Sequence, residues 1–264
     1  MTAITSLQNP RVKDAVRLRD RRHREKQRRI LIDGVRELAR AIRAGVRMTE
    51  VFVCEELCSG DEARSLLDML PDCHAETFRI TRQVFEKLAF GQRAEGVLGV
   101  AEMPRPTLAD LRLPENPLVA VLEGIEKPGN VGAVLRSADA AGVSALIVAD
   151  ARTDLYNPNA IRASLGTIFT MPVCTATTEE TLAWLSRHGL AIHAARVDGS
   201  APYTDADFRS PAAIVLGSEA EGLSDAWRAG HIRAVRLPML GAADSLNVSV
   251  AAAVLFYEAR RQRG

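Results

Sequence analysis

Four short polar side chains crowd one place near the end of this 264-residue chain. In "LPMLGAADSLNVSVAAAVLFYEARR" (237–261), Asp244, Ser245, Asn247 and Ser249 stand at the mouth of a segment, Val248 to Tyr257, that reads as a helix apolar nearly all the way round. A single Ser, Asp or Asn satisfies an orphan amide at a helix start, so several together point to a polar ligand. Two other stretches raise the same question. "LEGIEKPGNVGAVLRSADAAG" (122–142) passes from an apolar strand through a Pro128-Gly129 turn to Asn130 and, six residues later, Arg136. Six residues are about 1.7 helical turns, so the two do not share a face; Asn130 is placed to cap, and Arg136 to reach a site from the first turns. "IVLGSEAEGLS" (214–224) runs from an apolar strand straight into Gly217-Ser218-Glu219 and Gly222. Glycines beside a strand end let backbone approach a ligand closely.

Known fingerprints do not fit these loops. Asn130 and Val131 stand where a phosphate loop needs Lys and Ser/Thr. The glycines at 124, 129 and 132 miss the dinucleotide spacing, and the G-x-S-x-G nucleophile elbow is absent. Read singly, each stretch is also what an ordinary cap, turn or surface arginine looks like. Their joint occurrence at three strand ends in one half of the chain argues for a site.

The elements that position them follow from periodicity. Up to about residue 101, short apolar runs at Arg29–Ile32, Val51–Cys54, Ala75–Ile80 and Val97–Ala101 alternate with helix patterns at Pro10–Arg24, Val35–Ala44, Asp61–Leu70 and Arg82–Leu88, which predicts a small α/β layer structure. "EMPRPTLADLRLPENP" then places four prolines in sixteen residues, and proline removes backbone donors and disfavours helix before it. We therefore expect a domain at 1–101, a linker at 102–116 and a second domain at 117–264. In the second domain strands are expected at 118–124, 145–150, 190–195, 212–218 and 234–238, with helices at 130–141, 159–165, 179–188 and 245–261. Continuous apolar strands alternating with helices predict a mostly parallel sheet covered on both faces. Ligands of such sheets lie beyond the carboxyl ends of the strands, where the three polar loops fall.

Composition adds bounds. At 47% hydrophobic and 25% charged the chain is an ordinary globular protein, long enough to need no metal or disulfide framework. Net charge is only +1, yet Arg11 to Arg29 holds ten Lys/Arg against three acids, a local basic face suited to phosphates. Cys54, Cys58, Cys73 and Cys174 lack the spacing of a zinc site or disulfide scaffold, so reduced thiols and no metal are expected. The five histidines (23, 74, 188, 193, 231) lie outside the motif loops. "MTAITSLQNPRVK" has no apolar signal region, and Val248 to Tyr257 is too short to span a bilayer. A soluble cytoplasmic protein is expected, with no membrane partner.

"GNVGAVLRSADAAG", "LGSEAEGLS" and "SLNVSVAAAVLFYE" together resemble the three motifs of the SpoU/TrmH branch of the SPOUT RNA methyltransferases, over roughly residues 118–258. "LIDGVRELARAIRAGV" and "QRAEGVLGVAEMP" resemble, less specifically, the substrate-binding domain similar to a small ribosomal protein that many members carry. The resemblance implies transfer of a methyl group from S-adenosyl-L-methionine to a ribose 2′-hydroxyl of RNA, and large-subunit (23S) ribosomal RNA is favoured over transfer RNA. It implies a deep trefoil knot that periodicity does not reveal, and a homodimer formed through the catalytic domain. It carries catalytic roles to Arg136, Asn130, Glu219, Ser245 and Asn247, with Glu219 steadying the guanidinium of Arg136. It carries cofactor binding to Ala195, Leu216, Gly217, Glu219, Gly222, Leu237, Met239 and Leu246. Gln92, Arg93 and Glu95, before the last strand of the first domain, are possible substrate contacts. A noncatalytic RNA-binding or assembly factor on the same fold is the competing class, and it would have lost Arg136, Asn130 or Asn247.

Overall fold

The computed structural model describes residues 2–91, 95–199 and 201–264, so the expectations on Gln92 and Arg93 lie outside the described residues. The chain divides into two compact units, one of Met1–Pro104 with Tyr156–Thr170, the other of Arg105–Leu155 with Met171–Gly264.

The first unit contains β1 (Thr2–Ile4), α1 (Pro10–Arg17), α2 (Arg21–Gln27), β2 (Arg29–Asp33), α3 (Val35–Arg43), β3 (Met48–Val53), α4 (Asp61–Met69), β4 (Glu76–Ile80), α5 (Arg82–Leu88) and β5 (Val97–Glu102). Its sheet runs β1-β4-β3-β5-β2, with β1, β4 and β3 parallel and β5 antiparallel to both neighbours. One apolar cluster, including Val12, Leu31, Phe52, Phe85 and Val100, packs α1 and α5 onto the sheet.

The single basic helix expected over Pro10–Arg24 is two. Asp20 stops it because its side chain accepts from Arg22 N at 2.8 Å and caps a new helix. Arg24, fully buried, donates to the carbonyls of Leu18 and Arg19 at 2.7 and 2.8 Å and closes the end of α1. Several other charges of the basic stretch are also structural. Arg11 pairs with Glu50 and Glu76 and lies over the Phe78 ring. Arg19 donates to the carbonyls of Lys87 and Ala89, and Arg29 pairs with Glu50. Lys13, Arg22, Lys26 and Arg28 remain exposed.

The second unit begins with β6 (Leu118–Glu123), α6 (Pro128–Ala141) and β7 (Ala145–Ala149). The chain then supplies α7 (Pro158–Ala163) and the turn Thr167–Phe169 to the first unit. There Arg40 donates to the carbonyl of Leu165 at 2.8 Å and Arg162 to that of Phe90. Gly166 (φ +81°) lies so close to Glu37 that a Cβ on it would stand 2.9 Å from the Glu37 Cα. The chain returns as β8 (Val173–Ala176), α8 (Thr178–Arg187), β9 (Ala191–Ala195), β10 (Ala201–Pro202), β11 (Ala212–Leu216), β12 (Arg233–Arg236) and α9 (Val248–Arg263).

All seven strands of this unit are parallel, in the order β10-β12-β9-β11-β6-β7-β8. From β6 the chain adds β7 and β8 on one side, then crosses to build the other side. The β6/β11 seam is therefore a topological switch point, where α/β sheets bind ligands. Leu216 at the end of β11 pairs with Leu122 on one side and Ala195 on the other. The three strands thus deliver their following loops side by side.

Helices α6 and α9 pack against each other, and Val131, Val134, Leu135 and Ala138 of one and Val248, Ala252, Leu255 and Phe256 of the other are buried. Two boundaries differ from the sequence reading. Helix α6 begins at Pro128, because proline suits the first helical position, so Asn130 lies inside the first turn and does not cap. Helix α9 begins at Val248, with Asn247 and not Ser245 as its cap. Nor is α9 buried on every side: Val250 and Tyr257 are 49% and 53% exposed. Among the described residues, no helix is long and apolar enough to cross a membrane.

Candidate active site

Glu219 joins the three motif loops. Its Oε1 accepts from Asn130 Nδ2 at 2.8 Å and from Asn247 Nδ2 at 2.6 Å. Its Oε2 pairs with Lys127 Nζ at 2.8 Å. One carboxylate therefore ties the start of α6, the loop after β11 and the cap of α9. The Lys127 ammonium first, then the two amides, hold the Glu219 carboxyl below the ordinary carboxylate range, and Glu219 in turn raises Lys127. A carboxylate can only accept, so both asparagines turn their NH2 groups toward it and their amide orientations are fixed. Asn247 Oδ1 faces the other way and accepts from Ser249 N at 3.0 Å and Ser249 Oγ at 2.6 Å, so one side chain both caps α9 and bridges the loops. Two of these loops, those after β6 and β11, wall a cleft of about 230 Å³, lined by Ile125, Glu126, Lys127, Asn130, Ser218, Glu219 and Ala220.

The loop after β11 is a tight hairpin. Ser218 and Gly222 exchange backbone hydrogen bonds at 3.1 and 3.0 Å, which leaves Glu219, Ala220 and Glu221 at the tip. A Cβ on Gly217 would lie 2.2 Å from the Gly222 carbonyl carbon and oxygen, so only glycine fits. Sequence reasoning assigned that glycine to ligand approach, and the backbone it admits is the hairpin's own. Beneath the tip, buried Glu123 accepts from Thr178 Oγ1, Ser224 N and Ser224 Oγ, each at 2.8 Å, and fixes the hairpin's exit.

Asn130, Glu219 and Asn247 are thus brought into one hydrogen-bonded cluster. Arg136 and Ser245 are not part of it; both are exposed, and neither side chain has a hydrogen bond or ion pair among the described residues. The expected Glu219–Arg136 contact is absent, because six residues along α6 turn Arg136 away from Asn130 and Lys127 takes the free carboxylate oxygen. Leu216 and Gly222 flank the cleft through the hairpin, and Ala195 ends the neighbouring strand. Leu237, Met239 and Leu246 lie on the connection from β12 to α9, outside the cleft lining. The main chain of 237–246 makes no backbone hydrogen bond among the described residues, so its N–H and C=O groups are open to a ligand. In the first unit, Glu95 Oε2 accepts from Val35 N at 2.7 Å, which gives it a structural role.

Sequence reading missed Lys127, Glu126, Arg152 and Glu221. The only signal for Lys127 is that it precedes the Pro128 that opens α6. Arg152 lies in a segment without a motif, and its importance comes from tertiary pairing alone.

Residues 117–257 match the model of the SpoU rRNA Methylase family, and residues 9–99 match an MRM3-like substrate binding domain. A 23S rRNA (uridine(2479)-2'-O)-methyltransferase of Streptomyces viridochromogenes is 32% identical, over 93% of this chain and 87% of its own length. A crystal structure of an RNA 2'-O ribose methyltransferase is 42% identical, covers 99% of both chains and superposes with a TM-score of 0.87. An AdoMet-bound rRNA methyltransferase from Sinorhizobium meliloti is 27% identical over 98% of this chain and 97% of that one, with a TM-score of 0.88.

Proposed function

The chain belongs to the SpoU rRNA methylase family, and on that premise we propose that it methylates a ribose 2′-hydroxyl of large-subunit ribosomal RNA with S-adenosylmethionine as donor. The observation that carries this reading is the junction at Glu219, where three loops from three strand ends meet and two amides are held in fixed orientation on a carboxylate that lines the cleft. The residues fit the cofactor. Beyond adjacent parallel strand ends, the connection 237–246 offers unpaired main-chain groups together with the apolar side chains of Leu237, Met239 and Leu246. Ala195, Leu216, Gly217 and Gly222, at the ends of β9 and β11, would supply further main chain.

When bound, the cofactor supplies an electrophilic methyl group on a sulfonium. The chain's own residues must hold the ribose oxygen in line and ease loss of its proton. Asn130 and Asn247, locked by Glu219, orient the ribose or its phosphate. Ser245, on the exposed loop before α9, adds a hydroxyl contact. The guanidinium of Arg136 stabilises negative charge developing on the 2′-oxygen, and the proton leaves to solvent water. This assigns it electrostatic work and not that of a general base.

The first 101 residues bind RNA in this reading, through the exposed Lys13, Arg22, Lys26 and Arg28 and therefore in a salt-sensitive way; residues 117–264 carry the chemistry. Family membership supports a trefoil knot in the C-terminal segment and a cytoplasmic setting. Leu246, Val250 and Tyr257 follow one another along the exposed face of the α9 region at 39%, 49% and 53% exposure. That apolar stripe supports a homodimer through α9, and sedimentation at micromolar concentration should give twice the chain mass. Cofactor class is tested by thermal denaturation. S-adenosylhomocysteine should raise the melting temperature while NAD and ATP leave it unchanged; protection by NAD or ATP instead would overturn the reading.

A further inference from the structure

Arg152 stands just beyond β7, where Asp150 (φ +44°) turns the chain away from the sheet. Its Nη1 donates to Glu126 Oε1 at 2.9 Å and its Nη2 to Glu221 Oε2 at 2.5 Å. Glu126 belongs to the loop after β6 and lines the cleft beside Lys127. Glu221 is at the tip of the hairpin after β11, two residues from Glu219, and its N–H donates to Ser218 Oγ at 3.0 Å. One planar guanidinium thus spans the two loops that face each other across the β6/β11 seam, from a third strand end. The loop after β6 leaves room for it, since a Cβ on Gly124 (φ +63°) would lie 4.0 Å from Arg152 Nε.

We propose that Arg152 is a positioning residue for methyl transfer, which sets the separation of the loops after β6 and β11 and so the place of Glu219. It does not bind RNA phosphate, because its one positive charge is answered by two carboxylates and the trio is net negative. It contributes little to stability, because its side chain is 46% exposed and ion pairs at such sites are weak. What remains is geometry. Glu219 ties the hairpin tip to the start of α6 through Asn130 and Lys127, and the two-armed fork of Arg152 adds a second tie, from Glu221 of the same tip to Glu126 of the loop after β6. Lysine offers a point charge and cannot engage both carboxylates in that fixed geometry.

This inference rests on the methyltransferase reading above. It is tested with Arg152→Met, Arg152→Lys, Glu126→Gln and Glu221→Gln, each measured for kcat, for KM toward ribosomal RNA and for melting temperature, beside wild type. The expected result for Arg152→Met is a fall in kcat of about 10- to 100-fold, the cost of sub-ångström to ångström misplacement of catalytic groups, with KM for RNA within about twofold and little change in melting temperature. Arg152→Lys should recover less than a tenth of the lost rate, and Glu221→Gln added to Arg152→Met should cost nothing more, since both remove the same strut. Should Arg152→Met fail to fold, the two glutamine variants carry the test, each weakening one arm by removing its charge. Wild-type kcat in all the variants that fold, or a loss carried by KM for RNA, would overturn the proposal. An inactive wild type would instead overturn the reading on which it rests.

Discussion

Glu219 has two carboxylate oxygens and three side-chain partners, and the demands on Asn247 are similar: its amide nitrogen faces Glu219 while its oxygen caps α9. These two duties can be separated. Asn247→Ser keeps a capping oxygen and loses the bridge, whereas Asn247→Ala loses both. The alanine variant should be less stable than the serine variant by about 1 kcal/mol, the usual worth of an N-cap. Both should lose turnover to a similar degree. Urea denaturation beside initial-rate measurements checks this, and a serine variant with full activity would show that the bridge is dispensable. At this scale the sequence was partly legible. Asn247 drew attention because the hydrogen-bonding residues at the mouth of its helix exceed what capping requires, whereas Asn130 and Glu219 were singled out by the resemblance to the SpoU/TrmH motifs. Lys127 and Arg152 were not, because a lone basic residue carries no periodicity or motif and acquires meaning only from the carboxylate that folding brings to it.

The interior strand β9 carries His193, whose ring is wholly buried and lies 4.7 Å from the Phe208 ring. Burial first, and then the charge of Arg233, push its pKa down to about 4. The folded state therefore resists a proton that the unfolded chain accepts below about 6.5. His193's contribution to stability is complete above that value and is lost as pH falls toward 4, by roughly 3 kcal/mol in all. Asp33 on β2 acts in the opposite sense. Burial raises its carboxyl to about 6, so the folded state takes up its proton early and stability from this group falls as pH rises from about 4 to 6. The two are distinguished by comparison with His193→Leu. That variant should show a shallower loss of stability between pH 6.5 and 4.5 than wild type, read from urea midpoints; equal slopes would contradict the assignment. Strands such as β6, β9 and β11 were legible as apolar runs. The split of the first basic helix was not, because Asp20 and Arg24 end one helix and begin another through hydrogen bonds that hydropathy does not report. The short β1 and β10 fell below the length at which alternation can be recognised.

At the scale of the whole molecule, the alternation of strands and helices revealed the parallel sheet, and the polar loops at strand ends pointed to the three segments that meet at Glu219. Tyr156–Thr170 escaped that reading, since a helix pattern in the second half gives no sign that it packs within the first unit. A fragment ending at Pro104 would lack Arg162 and its bonds to Phe90 and Asp33, the Leu165 carbonyl that anchors Arg40, and the backbone of Gly166 against Glu37. Such a fragment should show no cooperative thermal transition, although a sharp one at the full chain's temperature would mean that the segment is unnecessary. The central claim is ribose methylation at the cleft around Glu219. Its most direct test incubates the protein with labelled S-adenosylmethionine and either protein-free large-subunit RNA or bulk transfer RNA, beside Arg136→Ala and Arg136→Lys. Alkali-resistant label is expected at one position of the ribosomal RNA, absent with Arg136→Ala and not restored by lysine, whose point charge lacks the planar fork. Label confined to transfer RNA would contradict the substrate assigned, and full activity of Arg136→Lys would contradict the role given to that guanidinium. Label on a base, or in neither RNA, would contradict the account itself.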